Sequence, residues 1–289
     1  MIPTPLIEID SNLLVKMEAN NPGGSHKIRT ARYIIESAIK RGDIVIGETT
    51  IIEKTGGNFG FGLAQVCNEH RISLELAIGL SFSRLKRKML GELGVGIIGI
   101  NMLEAGKSPR DVVEWHLLNQ ESLGKKYFYT DQFKNTDGVK AHEFITGPEI
   151  ALQLRSMGID KITMVKCAGT GASITGVTRS LLSHGLEVQV ILVEPLGCDS
   201  RRGVFIEHKM EGMSVGVTPP FIDWSLIDGV EYVTHDEMML SKLAFFKKYG
   251  YCIGNTSAAC FHVSSKLVTQ KPKGKILTFV YDHGLWYAD

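Results

Sequence analysis

Apolar and polar positions along the chain alternate between two textures. Short, nearly continuous apolar runs of strand length occur at 50–54, 73–80, 95–100, 161–168, 187–195 and 275–282. Between them, at 28–41, 59–70, 84–93, 108–122, 147–157, 174–184 and 235–249, apolar residues recur every three or four positions, which predicts helices. Apolar strands alternating with amphipathic helices predict an α/β fold of open, mostly parallel sheets flanked by helices on both faces. A chain of 289 residues is long enough for two lobes of this kind, with a crossing between them more than once.

Composition narrows the function classes. Basic and acidic side chains number 32 and 31, so a net charge of +1 gives no global attraction to nucleic acid or an anionic membrane. The cluster Arg84, Lys86, Arg87 and Lys88 is expected to be the solvated face of a helix. No stretch approaches the roughly 20 apolar residues of a membrane span, and MIPTPLIEID has neither the basic start nor the apolar run of a secretory signal. The five cysteines form no CxxC pair. That pattern predicts reduced thiols in a cytoplasmic protein, and no metal site.

Four stretches carry candidate chemistry and a fifth imitates it. In NNPGGSHKIRTARYII (20–35) a proline-glycine loop runs into a helix that Ser25 can cap, and Lys27 falls in the first turn. A helix N-terminus favours negative charge, so a lysine there needs a reason. In KCAGTGASITGV (166–177) a buried strand meets Gly169, Thr170, Gly171, Ala172 and Ser173, with a helix expected from about Ile174. Small residues, two hydroxyls and a helix terminus suit a phosphate; a tight strand-to-helix turn is the other reading. EKTGGNFGFGLA (53–64) repeats the design through Thr55, Gly56, Gly57 and Asn58, with a helix from about Phe59, and suits a carboxylate or a ring oxygen. GNTSAAC (254–260) sets Thr256 and Ser257 at a helix start, where capping accounts for one hydroxyl. GVGIIG (94–99) matches GxGxxG by letter, but its helix precedes its strand, the reverse of a dinucleotide site.

In collinear order these stretches, with DQFKNTDGVKAHEFITGPEI, VEP, EGMSVGVTPPFID and YDHG, resemble the cysteine synthase and cystathionine β-synthase group of pyridoxal-phosphate (PLP) enzymes. The resemblance implies the tryptophan synthase β-like fold, fold type II, with PLP in a cleft between two lobes. It implies a larger domain of about 1–20 plus about 136–289, and a smaller mobile domain of about 21–135. It implies that Lys27 forms the Schiff base, where helix potential and partial burial favour the neutral amine. Gly169, Thr170, Gly171, Ala172 and Ser173 would hold the cofactor phosphate, and Asn58 the ring hydroxyl. Thr256, with Ser257 as the near alternative, would face the pyridine nitrogen. Thr55, Gly56, Gly57, Asn58, Phe59 and Gln132 would bind the substrate carboxylate, with Gly212 and Met213 nearby. The Ser-His-Lys order is nearer to tryptophan synthase β and puts His26 beside the phosphate, a packing role being its other reading.

The implied reaction is β-replacement on an activated serine, O-acetylserine- or O-phosphoserine-like, through an α-aminoacrylate intermediate with a small nucleophile. A homodimer is implied as well. Cysteine synthases usually read Thr-Ser-Gly-Asn-Thr where this chain has Thr55-Gly56-Gly57-Asn58-Phe59, so a hydroxyl is lost and a ring gained. The altered loop leaves room for a non-standard β-substituted alanine as product. Two other readings stay open: a β-eliminating lyase or dehydratase, and a non-catalytic relative that binds a partner.

Overall fold

The computed structural model describes residues 2–270 and 274–287. The chain divides into two compact units, one made of Met1–His26 with Val139–Asp289, the other of Lys27–Gly138. Elements are numbered in chain order.

The discontinuous unit opens with β1 (Leu6–Asp10) and β2 (Leu13–Lys16), an antiparallel pair. The inserted unit follows: α1 (Lys27–Arg41), β3 (Thr49–Glu53), α2 (Asn58–His70), β4 (Ser73–Leu76), α3 (Arg84–Glu92), β5 (Gly96–Ile97), α4 (Ile100–Glu104), α5 (Pro109–Leu118) and β6 (Lys126–Tyr129). Its four strands form a parallel sheet in the order β5-β4-β3-β6. β3 is buried along its whole length, as a central parallel strand must be when helices cover both faces. Ile52 packs there with Ala77, Leu103, Val112 and Val113.

The chain returns through α6 (Asp137–Ala141), one π-helical turn (His142–Thr146) and α7 (Gly147–Ser156). β7 (Lys161–Cys167), α8 (Ala172–Ser183), β8 (Glu187–Pro195), β9 (Gly229–Val233), α9 (His235–Tyr249), α10 (Asn255–Thr269) and β10 (Lys275–Phe279) complete the unit. Its six-stranded sheet runs β1-β2-β10-β7-β8-β9, parallel except at the β1–β2 edge. β7, β8 and β10 fill its core with Val165, Val190, Val193 and Leu277. α8 lies close to the π turn, because Gly176 and Gly147 bear no side chain. A Cβ on Gly176 would stand 2.5 Å from Val139 O, and one on Gly147 would stand 2.2 Å from Ser180 Cβ.

The fold class expected from the apolar pattern is the one found: two mostly parallel sheets flanked by helices. Differences lie in the details. The apolar run 73–80 is paired only over Ser73–Leu76, and 95–100 only over Gly96–Ile97. α8 starts at Ala172, two residues before the expected Ile174. The basic cluster on α3 is not all solvated, since Lys86 is buried. Lys86 and Leu90 are one helical turn apart on the inward face, and the run of charges hid that phase. No helix among the described residues is long and apolar enough to cross a membrane.

Candidate active site

The expected site residues fall into two sets, one per unit. In the inserted unit Lys27 is the first residue of α1. Helix α2 comes close enough to fix that start, because Gly62 has no side chain: a Cβ there would stand 3.0 Å from Ile28 N. The Lys27 Nζ donates to Gln132 Oε1 at 3.4 Å, a long bond to a neutral amide. Gln132 is anchored in turn, its backbone N donating to Glu53 Oε2 at 3.2 Å. Glu53, the last residue of β3, is fully buried; the Thr130 hydroxyl (2.6 Å) and the Lys54 N–H (2.9 Å) also donate to it. Burial pushes its carboxyl from the ordinary 4.5 up to about 7, outweighing three hydrogen bonds that favour the ionised form. Sequence reasoning missed Glu53, although a carboxylate closing a β-branched strand was the available signal.

From Glu53 the chain turns through Thr55, Gly56 and Gly57 into α2, which begins at Asn58. Gly60 N donates to Gly57 O at 2.9 Å within this start, and a helix N-terminus of this kind suits a carboxylate. The Phe59 ring is buried, 2% exposed. Gly56 is a packing requirement: a Cβ there would stand 2.5 Å from Ile78 Cγ2 and 2.9 Å from Phe82 Cδ1. The serine usual in cysteine synthases does not fit this loop unless those side chains move.

In the discontinuous unit β7 leads into the 169–173 loop. Gly171 has φ +84°, and a Cβ on it would meet Ile222 N at 2.5 Å; a Cβ on Gly169 would meet Gly212 O at 2.8 Å. Both glycines are therefore required by close backbone approach. The loop is tied down by Phe221 N donating to Thr170 O at 3.0 Å and Ser214 N to Ala168 O at 3.1 Å. Thr170 and Ala172 are buried; Ala172 N donates to Thr170 Oγ1 at 3.3 Å and Thr175 N to Gly171 O at 3.2 Å, where α8 begins. A cradle of small residues at a helix N-terminus, closed to side chains by its own packing, fits a phosphate group.

The same unit brings Gly212 near Thr256, at 3.7 Å between a built Cβ and Thr256 Cγ2. Ser257 Oγ accepts from Tyr281 N at 2.9 Å, so its hydroxyl is engaged in joining α10 to the strand end. Its proton is left to be donated, so Thr256 and Ser257 both stay candidates for a ligand. Met213 lies in the hydrophobic core, 0% exposed, so its side chain is part of the packing. His26 donates its N–H to Tyr281 O at 3.1 Å, and its ring lies 5.1 Å from Tyr281 and 6.0 Å from His142. Ser25 forms an antiparallel bridge with Asp282. Among the described residues, no group of three His, Cys, Asp or Glu could hold a metal ion.

Comparison with known proteins adds the family. The sequence model of a family described as pyridoxal-phosphate dependent enzyme matches residues 1–282. A cysteine synthase of Helicobacter pylori is 31% identical over 281 residues, covering 96% of this chain and 88% of that protein. A hydrogen sulfide-producing enzyme from Fusobacterium nucleatum superposes with TM-score 0.85 and 29% identity, covering 99% of this chain and 95% of that one. An O-acetylserine dependent cystathionine β-synthase from Helicobacter pylori superposes with TM-score 0.85 and 28% identity, covering 98% and 94%.

Two outcomes test this site. Gly56→Ser should cost about 1–3 kcal/mol in urea unfolding, the usual range for overpacking, and adding Ile78→Ala should recover part of it; a neutral single variant would contradict the steric account. Glu53 supplies the second test. Its folded value lies above its unfolded one, so its contribution to stability is complete below about pH 4.5 and is lost as pH rises through about 7. Glu53→Gln removes that component and should flatten the decline. Profiles of the same shape for both proteins would mean that Glu53 does not titrate there.

Proposed function

The chain belongs to the pyridoxal-phosphate dependent enzymes, and from that premise we propose that it catalyses β-replacement on an activated serine. The amino donor is O-acetylserine- or O-phosphoserine-like, the nucleophile is small, and the product is a β-substituted alanine, including non-standard ones. The observation that carries this reading is the placement of expected ligand groups at three helix starts: Lys27 on α1, Asn58 on α2 and the 169–173 loop on α8.

Bound PLP supplies an electron-withdrawing system that acidifies the α-carbon of the substrate amino acid. The protein's share is to bind, orient and move a proton. Lys27 would hold the cofactor covalently, and its amine, when free, would be the base for the α-proton. The N–H groups at 55–58 and the start of α2 bind the substrate carboxylate. Gln132 is suited to two tasks: its Oε1 accepts from Lys27, which leaves the amide NH2 to donate to a carboxylate. Asn58 would hold the ring hydroxyl, and the 169–173 loop, with His26, would hold the phosphate. Thr256 offers a neutral hydroxyl to the ring nitrogen. A neutral partner leaves that nitrogen unprotonated, which favours loss of a β-substituent over transamination. Gly212 and Met213 contribute backbone near the substrate. The same reading includes a cytoplasmic homodimer.

A second reading, β-elimination, draws on the likeness to a hydrogen sulfide-producing enzyme. One experiment separates the two. The purified enzyme is incubated with O-acetylserine or O-phosphoserine, with and without sulfide or an amine. The expected outcome is a β-substituted alanine whose formation requires the nucleophile. Keto acid at the same rate in both incubations, with no substituted product, would replace β-replacement by elimination.

A further inference from the structure

The 169–173 loop offers a phosphate only neutral donors: backbone N–H groups and the hydroxyls of Thr170 and Ser173. A buried cation lies directly behind it. Lys166, on β7, is 1% exposed, and its Nζ donates to Ser173 Oγ at 2.8 Å. The ammonium lies 3.5 Å from the centroid of the Phe279 ring and 5.5 Å from that of Tyr281. All four residues belong to the discontinuous unit.

Taking an ammonium out of water is costly, and the hydrogen bond to Ser173 and the aromatic face both reduce that cost. Its direction has a chemical consequence. Ser173 Oγ accepts from Lys166, so the hydroxyl's own proton is left to be donated elsewhere. A hydroxyl that accepts from a cation becomes a stronger donor. Its natural acceptor is an anion in the loop that Ser173 closes.

We propose that Lys166 is a positioning residue for the cofactor phosphate, orienting and polarising the Ser173 hydroxyl and supplying the positive charge that the loop itself lacks. The proposal rests on the reading of 169–173 as the phosphate cradle. It predicts that a dianionic phosphate is held more tightly than neutral donors alone would hold it. A lysine retained only for packing would affect folding and leave cofactor affinity untouched.

The test uses the PLP-loaded enzyme and reads cofactor retention, the 31P signal of the bound phosphate, and thermal stability. Lys166→Met removes both charge and donor. Lys166→Gln keeps a donor for Ser173 and removes the charge, and Lys166→Arg keeps the charge. Met and Gln variants should each release PLP at least about tenfold more readily, and their 31P shift should titrate near the ordinary phosphate value of about 6. Arg should retain most of the affinity, and the wild-type signal should stay flat from about pH 5.5 to 8. A titrating wild-type signal overturns the proposal without any variant having to fold. So do Met and Gln variants that lose thermal stability yet keep wild-type PLP affinity, while Ser173→Ala weakens it. If Ser173→Ala and Gly171→Val also leave retention unchanged, the cradle reading fails as well, and the two failures are distinguishable.

Discussion

The hydrogen bond from Lys27 Nζ to Gln132 Oε1, 3.4 Å, links the proposed Schiff-base lysine to the sheet of the inserted unit. On the proposed reading this amine forms and re-forms a covalent bond, so it must be aimed. Aim comes from the backbone: Lys27 begins a helix whose start is set by the contact of Gly62 with Ile28. Gln132 is itself held by Glu53, fully buried at the end of the central strand, so the core of the sheet extends by two hydrogen bonds to the reactive nitrogen.

The discontinuous unit handles a different requirement with similar means. Binding an anion through backbone N–H groups demands that side chains stay out of the space. Gly169 and Gly171 meet that demand because Gly212 O and Ile222 N already stand where their Cβ atoms would be. The cradle is thus enforced from behind by the chain segment 212–222, which also brings Gly212 close to Thr256. Gly56 in the other unit belongs to the same class, its missing side chain replaced by Ile78 and Phe82. The lost serine hydroxyl is the consequence of how that loop is packed.

Much of this was legible in the sequence, and the reasons are local. β7, β8 and β10 are continuous apolar runs, and the glycine-rich turns sit where strand period gives way to helix period. β1, β6 and β9 escaped because they are partly exposed, so neither texture dominates them, and β2, though buried throughout, escaped because it spans only four residues ending in a lysine. Lys86 was misjudged from a run of charges, which reports composition and ignores the phase that aligns it with buried Leu90. Glu53 and Lys166 were visible as ionisable residues at the ends of apolar strands. Their roles depend on Gln132, 79 residues from Glu53, and on Phe279, far along the chain from Lys166. Spacing rules carry no such information.

Which lysine carries the cofactor is the point on which the functional account turns. Borohydride reduction of the PLP-loaded protein, followed by proteolysis and mass spectrometry, answers it. The account predicts phosphopyridoxyl label on the peptide containing Lys27 and none on the one containing Lys166. Label at any other lysine, or no stable label at all, would contradict it.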